Sequence, residues 1–247
     1  CITEDNGAPT SKTIRHISIY RSKKFKDVIR FPNIESLKTC ITRDPNFNVG
    51  FLLPNILKCY SLRVLDYQCK DNLSSSIGHL RYLRYLNLSR GGFKTLPKSL
   101  CELWNLQILK LDFCSRLQNL PNNLTHLESL QHISLNHCYS LSSLPSNVSK
   151  LTSLRTLTMY IVGKKRGSLL AELAQLNLRG RLHLKHLERV KNVTDSKEAN
   201  MSWKYINHLR LSWGANEESE LQENVEQIAE MLQPHAQQLQ FLGVEGY

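Results

Sequence analysis

The sequence predicts an α/β solenoid, a curved horseshoe of stacked coils with a parallel sheet on its concave face and irregular, 3-10 or short helical segments on its convex face. The pattern LxxLxxLxLxxCxxLxxLPxxLxx recurs in consecutive registers. Its LxL core alternates with period 2, as a short strand with Leu pointing inward does. One coil of ~24 residues cannot bury its apolar side alone, so the coils should stack with strands ~4.8 Å apart.

Four consecutive coils carry this pattern most clearly. They begin 23, 24 and 24 residues apart, at Leu80, Leu103, Leu127 and Leu151. We expect consecutive parallel strands within Leu62 to Tyr67, Leu83 to Leu88, Leu106 to Leu111, Leu130 to Leu135 and Leu154 to Met159. Leu-Pro pairs end at Pro97, Pro121 and Pro145. Because Pro fixes φ at about −65° and lacks an N–H, each pair should mark where a coil turns onto the convex side.

Weaker copies of the pattern flank these coils. They occupy residues 14–19, 34–40, 59–67, 181–187, 206–213 and 239–244, which makes about ten coils. Ten strands give an inner surface roughly 45 to 50 Å long. We expect one domain over residues 1–247, with degenerate coils in 1–58, regular coils of 21–24 residues in 59–161 and irregular coils in 162–247.

Two stretches and the chain ends depart from the coil pattern. Residues 196–204 resemble a short helix or loop, and residues 217–232 place apolar side chains, including Leu221, on one helical face. We expect both on the convex side. The chain begins at Cys1 and ends at Tyr247 within the pattern, so we expect it to be a fragment of a longer protein.

Composition and charge restrict the class of protein. No run approaches the ~18 apolar residues of a membrane span, and the first residues lack the order of a signal peptide. Residues 1–213 hold all 32 Lys and Arg against 14 Asp and Glu, a formal charge of +18, whereas residues 214–247 hold seven Glu and no Lys or Arg. A basic body favours an acidic partner. Nucleic acid is disfavoured, because no RNA-binding or DNA-binding module is recognisable.

Catalytic and metal-binding motifs are not found. The sequence has no GxxxxGK, HExxH or GxSxG, so we expect no enzymatic activity. His132, His137 and Cys138 provide only three of the four ligands that a structural zinc site needs, so we expect no metal. Cys114 and Cys138 occupy the same slot in adjacent coils, where we expect a ladder of buried thiols rather than a disulfide.

The predicted binding surface is the concave face. Side chains alternate across a strand, so the residues between and beside the inward Leu point to this face. Arg and aromatic residues there are typical of interface anchors. We predict that the face binds a protein through Arg63, Arg84, Tyr85, Asn87, Arg90, Lys110, Asp112, Phe113, His132, Asn136, His137, Arg155 and Tyr160.

The repeats resemble a known family. LNLSRGGFKTLPKSLCELWNLQILKLDFCSRLQNLP (residues 86–121) resembles the leucine-rich-repeat domain of plant intracellular nucleotide-binding leucine-rich-repeat immune receptors, in the class with an N-terminal coiled coil. TIRHISIY (residues 13–20) resembles the segment that opens those repeats. Residues 176–213 and 232–247 resemble their later repeats. The resemblance covers nearly the whole chain.

The resemblance implies a role in plant innate immunity and the hypersensitive response. Such a domain senses a pathogen effector or a guarded host protein, and an intramolecular contact keeps the nucleotide-binding module in its ADP-bound state. ADP or ATP is expected only in that module, so no cofactor is expected here, and the location is cytoplasmic or nucleo-cytoplasmic. Two alternatives stay open. One is the ectodomain of a secreted or membrane receptor, favoured by six Asn-x-Ser/Thr sequons but lacking LxGxIP and a paired-Cys cap. The other is a substrate-recognition repeat of a ubiquitin ligase.

Overall fold

The computed structural model of the chain describes residues 14–19, 34–42, 53–69, 72–191, 193–214, 225–234 and 238–246. Over these residues, seven strands form one parallel sheet in chain order: β1 (His16–Ile19), β2 (Thr39–Thr42), β3 (Val64–Tyr67), β4 (Tyr85–Asn87), β5 (Ile108–Lys110), β6 (His132–Ser134) and β7 (Thr156–Leu157). A second parallel sheet continues in chain order: β8 (Met159–Ile161), β9 (Arg179–Lys185), β10 (Tyr205–Ser212) and β11 (Phe241–Glu245). The predicted solenoid and its five regular strand segments are confirmed.

The two sheets form one continuous inner surface. β7 and β8 lie in the same coil and are separated only by Thr158. β9 pairs with β8, and the N–H of Arg179, at the start of β9, also donates to the carbonyl of Arg155 just before β7 at 2.8 Å. The break between the sheets is therefore local.

Short helical segments close the coils on the outer side. The 3-10 helices are Ser75–His79, Lys98–Glu102, Asn122–His126, Val148–Lys150, Leu170–Leu173, Leu187–Arg189 and Met201–Trp203. The α-helices are α1 (Leu53–Ile56), α2 (Val193–Glu198) and α3 (Val225–Met231). Pro97 and Pro121, with φ of −66° and −60°, directly precede the second and third 3-10 helices, as the Leu-Pro prediction requires. The helix after Pro145 begins later, behind a left-handed Asn147.

The core consists of inward side chains stacked from coil to coil. Leu86, Leu109, Ile133 and Leu157 pair with one another in successive strands, and each is at most 3% exposed. Each side chain therefore contacts mainly its own coil and the next one.

In the predicted helical stretch, Ile228 of α3 is buried, whereas Leu221 lies outside the described residues. No helix among the described residues is long and apolar enough to cross a membrane.

The cysteines form the predicted ladder of buried thiols. The Cys114 thiol donates to the carbonyl of Leu88 at 3.4 Å, and the Cys138 thiol donates to the carbonyl of Leu111 at 3.1 Å. In both cases the acceptor belongs to the preceding coil. Burial raises the pKa of Cys114 to about 11 and that of Cys138 to about 12. The thiols therefore stay protonated and donate a weak hydrogen bond from one coil to the next.

Tyr160 does not lie on the concave face, so that prediction is wrong. Its side chain is 1% exposed and its hydroxyl donates to the carbonyl of Leu169 at 2.7 Å. The cause is Thr158, whose Oγ1 accepts the N–H of Leu135 at 2.8 Å, where the preceding coils use a backbone carbonyl. After Thr158, the alternation of inward and outward side chains is shifted by one residue. Tyr160 then pairs with the buried Leu184, and Met159 lies beside the concave His183.

Candidate partner-binding face

Two rows of side chains cross the concave face at right angles to the strands. The strand register places residues of the first row beside one another: Val64, Tyr85, Ile108, His132 and Thr156. The second row is Asp66, Asn87, Lys110 and Ser134. Neighbouring strands are ~4.8 Å apart, so side chains within a row can contact each other. The face is thus a continuous surface and not a set of separate residues.

Polar contacts order the second row. Asn87 Nδ2 donates to Asp66 Oδ1 at 3.1 Å. Asp112 Oδ1 accepts from Ser134 Oγ at 2.6 Å and from both the backbone N–H and the Nδ2 of Asn136 at 2.8 Å. Asp112 therefore holds the turns that follow β5 and β6 in place. Its carboxylate orders the rim of the face. One carboxylate oxygen, Oδ1, already accepts three hydrogen bonds before any partner binds.

A stack of rings and one guanidinium runs along the rim where the strands end. The Arg90 guanidinium lies 5.1 Å from the centroid of the Phe113 ring, which stacks on His137 with centroids 4.5 Å apart. His137 Nδ1 is 2.7 Å from the Tyr139 hydroxyl. Phe113 is 46% exposed and Tyr139 is 72% exposed. Stacked aromatic and Arg side chains that keep this much exposure are typical anchors for a protein partner. We call these four residues the rim stack.

The backbone of the rim stack is unusual. Arg90, Phe113 and His137 have φ of 63°, 60° and 60°, in the left-handed region that non-Gly residues seldom adopt. Each lies two residues after an inward Leu, and the N–H groups of Arg90 and Phe113 both donate to carbonyls of the following coil at 2.7 Å. This conformation repeats at the same slot in three consecutive coils, so it brings the three side chains into one column.

Other predicted residues meet on the strands themselves. Lys110 Nζ lies 5.8 Å from the centroid of the half-buried Tyr85 ring, a cation–π contact. His132 Nδ1 is 2.9 Å from Thr156 Oγ1. Burial, together with the charges of Arg179 and Arg155, lowers the pKa of His132. Protonation of the His132 ring is therefore disfavoured in this cationic neighbourhood. Arg63 and Arg84 are exposed directly before β3 and β4.

The later coils add a cationic trough that the repeat pattern did not predict. A cavity of about 540 Å³ is lined on β9 and β10 by Arg181, His183, Lys185, His208 and Arg210, and we call these five residues the trough. Tyr139 of the rim stack also lines it. The alternation in RLHLKHL and INHLRLSW carried the signal for these residues. In the part of the chain that the structure describes, no group of three His, Cys, Asp or Glu residues could hold a metal ion.

Comparison with known sequences agrees with this architecture. The sequence model described as "Leucine-rich repeat region" matches residues 46–244. The chain belongs to the leucine-rich repeat family. A leucine-rich repeat structure from Leptospira interrogans, the protein LIC12759, has a TM-score of 0.54 at 22% identity and covers 86% of this chain and 51% of that chain. At this identity, the likeness concerns the fold alone.

Two sequences that match at higher identity are plant proteins. Disease resistance protein RGA2 of Solanum bulbocastanum is 46% identical over 190 residues, which cover 75% of this chain and 20% of that protein. An RPP13-like protein of Arabidopsis thaliana is 42% identical over 205 residues, which cover 79% of this chain and 19% of that protein. The leucine-rich repeat chain thus spans about a fifth of the length of either relative.

Proposed function

We propose that the chain is the recognition region of a plant disease resistance protein and binds a pathogen effector or a guarded host protein on its concave face. The observation that carries this proposal is the rim stack, in which Phe113 and Tyr139 remain exposed while ordered by their neighbours. Preordered aromatic side chains lose little conformational entropy on binding. Relatives named for disease resistance favour this function over a receptor ectodomain or a ubiquitin-ligase subunit.

The role of the whole protein follows from the same proposal. The region is non-catalytic and cytoplasmic, and its N-terminal coils, including those of β3 and β4, hold an adjoining nucleotide-binding module in the resting state. Arg63 and Arg84 support this contact, because they are exposed and neighbouring cations that can dock on an acidic surface. ADP or ATP binds in that module and not in this chain.

Recognition is tested with rim substitutions in the full-length protein expressed in leaves. Phe113→Ala and Tyr139→Ala remove exposed rings from the rim where the strands end, whereas Tyr60→Ala and Tyr82→Ala remove rings that are 61% and 63% exposed but lie in the turns that lead into β3 and β4. We expect pathogen-triggered cell death to be lost with the first pair and kept with the second, at equal protein levels on immunoblots. A normal response from both rim variants contradicts recognition at this face.

The intramolecular contact is tested by charge reversal. Replacing Arg63 and Arg84 by Glu should repel the acidic docking surface and produce cell death without any pathogen. Arg116→Glu reverses an exposed charge outside the strands and serves as the matched control. If the double variant, like the control, causes cell death only after pathogen challenge, these two residues do not contribute to the resting-state contact.

A further inference from the structure

The trough carries an excess of positive charge. Glu245 is the one acidic residue that lines the cavity, and its carboxylate already lies 3.2 Å from the Arg210 guanidinium. Among the described residues, neither Arg181 nor Lys185 has a carboxylate within ion-pair distance. Both are therefore available to an anionic ligand.

The cations of the trough lie at strand spacing. Arg181, His183 and Lys185 are alternate residues of β9 and share one face, so Arg181 and Lys185 are roughly 13 Å apart at the Cα atoms. The register places Arg210 of β10 beside His183, midway between the two β9 cations on the next strand. Positive charge therefore recurs every ~6.6 Å along the strand direction.

An extended peptide has the same period. Side chains at positions i, i+2 and i+4 of an extended segment project from one face and are ~6.6 Å apart. Three carboxylates at these positions would meet Arg181, Arg210 and Lys185 in turn. The Oδ1 of Asn136 and the hydroxyl of Ser212, which also contacts His183, remain able to hydrogen-bond the peptide backbone.

We propose that the trough binds an extended acidic segment of the protein ligand, with Asp or Glu at every second residue. This inference rests on the proposed function and names the chemistry of the ligand at one part of the concave face. Glu245 lies level with Lys185 and pairs with Arg210, the middle cation, so three spaced carboxylates meet less repulsion there than a polyphosphate or a nucleic acid strand, which carries more negative charge. The aromatic contact between His208 and Phe241, with centroids 6.0 Å apart, closes the β11 side of the trough.

The test is fluorescence anisotropy on the full 247-residue chain with three labelled peptides. The first is Gly-Glu-Thr-Glu-Phe-Glu-Gly, with alternating acids. The second, Gly-Glu-Glu-Glu-Thr-Phe-Gly, has the same charge in one block, and the third replaces each Glu of the first by Gln. We expect the alternating peptide to bind roughly tenfold more tightly than the block peptide, and the Gln peptide not to bind.

Variants locate the site. Arg181→Gln and Lys185→Gln should each weaken binding of the alternating peptide by roughly tenfold, and Lys94→Gln, an exposed Lys outside the trough, should leave it unchanged. Circular dichroism confirms that each variant is folded. Glu245→Gln should tighten binding, because it releases Arg210.

Several outcomes overturn the inference. Equal affinity for the alternating and block peptides would show attraction by net charge alone. Stronger binding of tripolyphosphate or of a single-stranded oligonucleotide than of the alternating peptide would assign the trough to a phosphate ligand. If no peptide binds but the Phe113 and Tyr139 variants still lose the leaf response, the trough inference fails and the proposed function stands. If the alternating peptide binds and both rim variants respond normally, the trough binds acidic peptides and the proposed recognition through the rim stack fails.

Discussion

Lys204 is a buried lysine whose ammonium group joins two coils. It is 3% exposed, and its Nζ donates to the carbonyls of Leu173 and Leu176 at 2.7 Å each. These carbonyls belong to the turn that ends the 3-10 helix Leu170–Leu173. Burial lowers the pKa of Lys204 to about 8. The contacts to the two carbonyls offset the cost of removing the charge from water.

Replacing Lys204 by Met should destabilise the chain although Met fills a similar volume. The two carbonyls would stay buried without a donor, which costs about 2 to 4 kcal/mol. The measurement is the free energy of unfolding in urea, with Lys197→Met as the matched control, because Lys197 is exposed. Equal destabilisation by both substitutions would show that the hydrogen bonds of Lys204 contribute nothing particular.

His183 should make the chain sensitive to acid. Its Nε2 is 2.7 Å from Ser212 Oγ, and burial is the main cause that lowers its pKa to about 4, assisted by Lys185 and Arg210 against the opposing Glu245. The unfolded chain binds the proton near pH ~6.5 and the folded chain only near 4, so the free energy of unfolding falls as the pH drops through this window.

The free energy of unfolding is measured as a function of pH for the His183→Gln variant and for the parent chain. Gln keeps a hydrogen-bonding group near Ser212 but cannot be protonated, so we expect it to remove roughly 1 to 3 kcal/mol of acid-dependent destabilisation between pH ~6.5 and ~4. His126→Gln, at an exposed position, controls for the general effect of losing a histidine. An identical pH dependence in the parent and in the His183→Gln chain would place the responsible group elsewhere.

Each coil depends on its neighbours through a few inward side chains. Leu109 is 0% exposed and Ile133, its partner in the next strand, is 3% exposed. Leu109→Ala or Ile133→Ala should each cost about 2 to 5 kcal/mol, because the truncated side chain leaves a cavity between two coils. The milder Ile133→Val should cost about 0.5 to 1.5 kcal/mol. Urea midpoints that do not move in either Ala variant would mean that the inward face is misassigned.

The strands β4 and β8 show how far the sequence pattern reaches. In β4, the LxL core predicted the strand, its inward side and its parallel pairing, because nothing interrupts the alternation. In β8, the Thr158 hydroxyl replaces a backbone acceptor and shifts the alternation, so Tyr160 is buried. Periodicity contains no signal for a side chain that takes the place of a carbonyl.

The rim stack and the trough were only partly predictable for similar reasons. Phe113 and His137 were found as concave residues, but their left-handed backbone was not, since this conformation is usually signalled by Gly or Asn. Tyr139 follows Cys138 in a turn that the strand alternation does not reach, and only its place as an aromatic residue after the Cys slot marked it. The trough lies where coil lengths vary, so its residues could be assigned to strands but not to a shared surface.

Over the whole molecule, the concave face gathers side chains that are distant in sequence into one surface. The rim stack and the trough belong to different coils, yet Tyr139 lines the same cavity as Arg181. Because the coils contact mainly their nearest neighbours, a substitution on this surface should disturb binding without unfolding the rest. This separation of binding from stability makes the central claim testable residue by residue.

An alanine scan of exposed residues in the full-length protein tests that claim most directly. Equal numbers of positions are replaced on the concave face, meaning its strands and the rim stack, in the turns that hold Tyr60, Tyr82 and Trp104, and on the convex 3-10 helices, and the pathogen-triggered response is scored at matched protein levels. The account predicts that loss of response is confined to concave positions, with Phe113, Tyr139, Arg181 and Lys185 among them. The claim is contradicted if the substitutions that abolish the response lie in the turns of Tyr60, Tyr82 and Trp104 or on the convex helices, while the concave substitutions leave the response unchanged.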